Sequence, residues 1–188
     1  SPVGQSRQDS DGFGRTPPPA VQSTAGDGPS SLLSPMTAAA RRRAAAGVDP
    51  AQAYNQAYAD ARKLGAPHEE ARDEATSTTV SAAAYNALTD DSKPVKGMED
   101  VGAEALRAAT DLGLPLDAAE KAAAEEAAKV VAEVLASQDK PPREMHLAAE
   151  EAALGAGVLP LDASKIARAA VASELDKRRP HPIDTAPV

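Results

Sequence analysis

Along residues 48–180 the apolar positions recur three and four apart, the spacing of a helix face, and no stretch alternates with the period of two that a strand needs. The pattern is plainest between Leu112 and Leu135. Leu116, Ala119, Ala123, Ala127, Val130 and Val134 form one stripe, while Asp117, Lys121, Glu125, Lys129 and Glu133 fall every four residues with alternating sign. This spacing predicts a long helix with a shallow apolar face and a solvated charge ladder, each neighbouring pair contributing roughly 0.2–0.5 kcal/mol.

The periodic stretches are separated by regular punctuation. A glycine followed within two or three residues by a proline occurs at Gly47/Pro50, Gly65/Pro67, Gly113/Pro115 and Gly157/Pro160. Glycine ends one helix and proline opens the next. A second set of prolines, each preceded by a basic residue, falls at Pro94, Pro141 and Pro180 and divides the chain into units 48–94, 95–141 and 142–180. Each unit reads helix, glycine–proline turn, helix, loop. The string LPLDA begins at Leu114 and again at Leu159, marking the elbow of the second and third units. It places Asp117 and Asp162 in a first turn, where the helix dipole favours negative charge.

Ahead of the units, Ser34 and Pro35 make a helix start, and residues 36–47 read as a short basic helix carrying Arg41, Arg42 and Arg43. Residues 1–35 are rich in Pro, Gly and Ser, with a polyproline turn at Pro17, Pro18 and Pro19, and are expected to form an extended arm. Residues 181–188 form a short tail. The expected fold is all-α: three helical hairpins and the short basic helix, as a small bundle or short solenoid, preceded by the N-terminal arm.

Composition changes the picture in one respect. Of 188 residues, 44 are alanine, and Leu, Ile, Val and Phe together supply only 29. Alanine has the best helix propensity but buries a methyl where a leucine contributes roughly 1.5–3 kcal/mol on full burial. Helices of this kind form readily and gain little by packing together, so a surface on a partner is expected to complete the core. The net charge of −8 and pI near 4.9 argue against wholesale nucleic-acid binding. No cysteine is present, so disulfides and thiolate metal sites are excluded. No apolar run is long enough to span a bilayer, and membrane association is expected only through partners. Ser1 either follows a removed initiator methionine or is a processed start, and the compartment, intracellular or organellar, is left open.

Candidate chemistry is sparse. The stretch HEEAR at His68 lacks the second histidine of a zinc-protease helix, having Arg72 in its place. The acid pairs Glu69/Glu70, Glu125/Glu126 and Glu150/Glu151 sit on alanine-rich helices and are expected to face solvent, without the opposed environments that acid–base work requires. No phosphate-binding loop follows a strand. The reading is therefore of no catalytic, cofactor or metal site. Partner-binding candidates are Phe13, the single phenylalanine, flanked by glycines in the arm; Pro17, Pro18 and Pro19; Arg41, Arg42 and Arg43; and Tyr54 and Tyr58, one turn apart. They point to a structural or linker subunit contacting other protein subunits of a large assembly. The alternatives are a peripheral lipid-surface protein, for which large apolar residues and a lysine-rich polar face are missing, and a stress-protective, conditionally folded protein.

Overall fold

A computed structural model describes residues 33–180. Phe13, Pro17, Pro18 and Pro19, with the arm as far as Leu32, and residues 181–188 lie outside the described part. Within it the chain forms seven helices and no strand: α1 (Pro35–Ala45), α2 (Pro50–Lys63), α3 (His68–Thr89), α4 (Met98–Asp111), α5 (Leu116–Ser137), α6 (Pro142–Gly155) and α7 (Pro160–Arg178).

Local chemistry sets each boundary. At α1 the Ser34 hydroxyl accepts from the Thr37 amide at 3.1 Å, satisfying one of the donors that a helix start leaves open. Gly47, Gly65, Gly113 and Gly157 have φ of 75°, 92°, 81° and 98°, the left-handed conformation that turns the chain out of a helix at low cost only for glycine. The amides beyond three of them reach back to close the last turn: Val48 to the Arg43 carbonyl, Ala66 to Ala61 and Leu114 to Ala109. The end of α5 uses the same closure, Lys140 to Leu135, around Asp139 at φ 56° instead of a glycine. At the end of α3, Asp90 Oδ1 accepts from both the hydroxyl and the amide of Ser92, which holds its carboxyl below the ordinary aspartate value.

These glycines set the register more strictly than the prolines do. In all four cases the next helix starts three residues after the glycine, whether the proline is the residue before the helix (Pro67, Pro115) or its first residue (Pro50, Pro160). The two LPLDA strings are consequently not superimposable: Gly113 to Gly157 is one residue shorter than Leu114 to Leu159, so Pro115 precedes α5 whereas Pro160 begins α7. Counting from the glycine restores the equivalence. Six and ten residues after it stand Ala71 and Ala75, Ala119 and Ala123, and Ala163 and Ala167, all with no exposed surface. The intervening helices agree as well. Each of α2, α4 and α6 has 14 residues, with buried residues in matching positions: Ala53, Ala57 and Ala61; Val101, Ala105 and Ala109; Met145, Ala149 and Ala153.

Each helix packs on the next along the chain, and α1, α3, α5 and α7 also pack each on the following odd-numbered helix. Helix α5 lies at the centre, against α3, α4, α6 and α7. Its buried surface therefore exceeds the single stripe expected, adding Ala124, Ala128, Val131 and Ala132, while Leu116, expected within the stripe, is 63 % exposed at the helix start. Helices α4 and α6 approach until their backbones nearly touch. A Cβ on Gly102 would collide with the Ala152 carbonyl oxygen, and one on Gly155 with that of Glu99. The interior so formed is mostly methyl groups. Its largest fully buried side chains are Met145, Val80, Val101, Val130 and Val131.

Candidate functional site

Helix α1 carries the arginine cluster, and the structure separates its three members. Arg41 extends over the Tyr85 ring, 3.9 Å from its centroid, and its guanidinium donates through both terminal nitrogens to the Glu133 carboxylate of α5. Its side chain is only 10 % exposed. Arg43 pairs with Asp60 of α2 at 2.7 Å. Both thus fasten α1 to the rest of the fold, and Arg42 alone points outward. The pairing also removes Glu133 from the expected solvated ladder. The signal was present in the sequence only as opposite charges 92 residues apart, a separation at which no spacing rule applies.

Tyr54 and Tyr58 stack with ring centroids 6.5 Å apart, and the Tyr58 hydroxyl shares a 2.5 Å hydrogen bond with Nδ1 of His68 at the first position of α3. Both tyrosines are half-buried; the interior beside them is Ala53, Ala57, Ala61, Ala71 and Ala75. They flank the core instead of filling it.

The acid pairs separate in the same manner. Glu69 and Glu70 are exposed in the first turn of α3. Glu151 accepts from the Met98 amide at 3.1 Å, capping α4 from a different helix, and Glu150 lies 3.2 Å from His146. Glu126, expected to face solvent, is instead buried: its side of α5 is covered by α3, whose Ser77 hydroxyl donates to it at 3.1 Å, with Lys129 at 3.2 Å. Of these carboxylates, Glu126 joins α5 to α3 and Glu151 caps α4. Among the described residues no cluster of three or more His, Cys, Asp or Glu is placed to hold a metal ion, and no helix is long and apolar enough to cross a membrane.

A groove runs between α5 and α7. Its wider end, about 540 Å³, lies between Asp117, Glu120 and Lys121 on one side and Leu159, Asp162 and Lys165 on the other. A narrower part of about 320 Å³ continues from Glu125, Lys165 and Ile166 towards Lys129, Ala169, Ala170 and Ser173. The i,i+4 ion pairs expected along this side of α5 do not form; among the described residues Asp117, Lys121 and Glu125 have no ion-pair partner, and Lys129 turns to Glu126. A leucine side chain that a larger core would have absorbed, Leu159, lines the groove at 70 % exposure. By contrast the outer side of the last helix pair is polar. Where Gly102, Ala124 and Ala132 are buried beneath it, the residues in the same register on α6 and α7 are His146, Arg168 and Asp176.

The chain matches no family model, no curated protein and no solved structure with which it was compared.

Proposed function

We propose that the chain is a non-catalytic structural or linker subunit that docks onto other protein subunits of a large assembly and stabilises it. In this reading the helix pairs α2/α3, α4/α5 and α6/α7 are three hairpins stacked as a short solenoid, and α1 closes the first of them. Docking runs through the N-terminal arm, residues 1–35, and through small-residue helix surfaces. Phe13 and Pro17, Pro18 and Pro19 act as anchors on a neighbour. Tyr54, Tyr58 and Arg42 offer a further contact beside α2, whereas Arg41 and Arg43 act within the subunit.

One observation carries the reading: the size order of buried and exposed apolar residues is inverted. Alanine dominates the interior, while Leu64, Leu116, Leu147, Leu154, Leu159, Leu161 and Leu175 are exposed. A buried methyl contributes about 0.8 kcal/mol and a buried leucine roughly 1.5–3 kcal/mol. A substantial part of the apolar free energy this sequence can release is therefore held on its outside, where only another molecule can realise it. The alternating signs along α5 favour a protein partner over an anionic lipid surface, which would select a basic polar face.

Mild purification from the native source tests the proposal. The full chain is expected to emerge in fixed ratio with partner subunits, and a form lacking residues 1–35 to emerge without them. Recovery of the full chain alone, at its native level, would overturn it.

A further inference from the structure

We infer that the α5–α7 groove is a homotypic contact, in which two copies of this chain pair antiparallel about a two-fold axis that crosses the exposed side of α5 at the level of position 123. Two properties of the groove reverse along its length in the same sense.

The first is charge. Asp117, Lys121, Glu125 and Lys129 follow one side of the groove in the order minus, plus, minus, plus. A second copy in parallel register would set like charge on like. Turned end for end, it sets Asp117 against Lys129 of its partner and Lys121 against Glu125, so every rung meets its opposite. Asp117, Lys121 and Glu125 are also the rungs that the fold itself leaves without an ion-pair partner among the described residues. Like-charge juxtaposition in an interface costs several kcal/mol, so this sequence of signs selects the antiparallel arrangement.

The second is size. The wide end carries the exposed Leu159, and the narrow end is lined by Ala169, Ala170 and Ser173. In the antiparallel pair Leu159 of each copy lies over the small residues of the other, and the exposed Ala118 and half-buried Ala122 allow the two α5 helices to approach. An isologous contact requires a surface complementary to itself after a two-fold rotation. The α5 side of this groove meets that condition in charge, and Leu159 with Ala169 and Ala170 meets it in size.

Sedimentation equilibrium of the full chain, with helicity checked by circular dichroism, tests the inference. The wild type is expected to show a reversible monomer–dimer equilibrium that weakens as salt is added. Lys121→Glu and Glu125→Lys each place two like-charged pairs in the contact and are expected to raise the dissociation constant at least about tenfold. The double variant K121E/E125K keeps every rung opposite its complement and is expected to restore association. A wild type that stays monomeric throughout, single variants that associate as well as the wild type, or a double variant no better than the singles would each overturn it. None of these outcomes depends on whether other subunits are captured in the native source.

Discussion

Gly102 and Gly155 are the residues at which the fold has least latitude. In an open helix, replacing glycine by alanine stabilises by about 1 kcal/mol. Here the added methyl meets the carbonyl of the facing helix, so the sign reverses. Gly102→Ala and Gly155→Ala are each expected to destabilise by roughly 1–3 kcal/mol, the range for overpacking, as a fall in the urea midpoint. A rise in either midpoint would show that α4 and α6 are not in backbone contact. Arg41 offers a second test. Removing its carboxylate partner with Glu133→Ala is expected to cost roughly 1.5–3 kcal/mol, as for a hydrogen bond to a charged group, and to increase hydrogen exchange in α1 before any other helix.

At the scale of the helix, start and stop signals were the most legible feature of the chain. The glycine–proline pairs announced four helix junctions, and Ser34 with Pro35 announced the first start, because each acts within one turn of itself. The repeat of LPLDA marked both elbows and put Asp117 and Asp162 in first turns, but shifted by one residue between them: proline is tolerated both just before a helix and in its first turn, whereas the left-handed glycine is tied to a single place. The end of α5 had no glycine to read. Asp139 holds that left-handed position, so Asp139→Gly is expected to raise stability by up to about 1 kcal/mol, measured by chemical denaturation. A loss would mean that its carboxylate contributes more than its backbone conformation costs. What could not be read locally was burial. Periodicity gave α5 one apolar face because alanine is neutral in such patterns; only packing against α3, α4, α6 and α7 shows that its other alanines, and Glu126, are inside. The groove was half visible: the ladder of charges could be read, but not that Asp117, Lys121 and Glu125 have no ion-pair partner among the described residues along a cleft formed with α7.

For the whole molecule the decisive quantity is cohesion. Close backbone approach recovers some dispersion energy that small side chains forgo, and Gly102 with Gly155 shows how far this is taken. The exposed part of each leucine contributes nothing until another surface covers it. Calorimetry of the isolated chain, in solution dilute enough to suppress pairing of copies, tests this most directly. Broad unfolding below about 60 °C, with an enthalpy well under the usual value of about 0.7 kcal/mol per residue, is the expected result. A sharp two-state transition above about 60 °C with a full-sized enthalpy would contradict it.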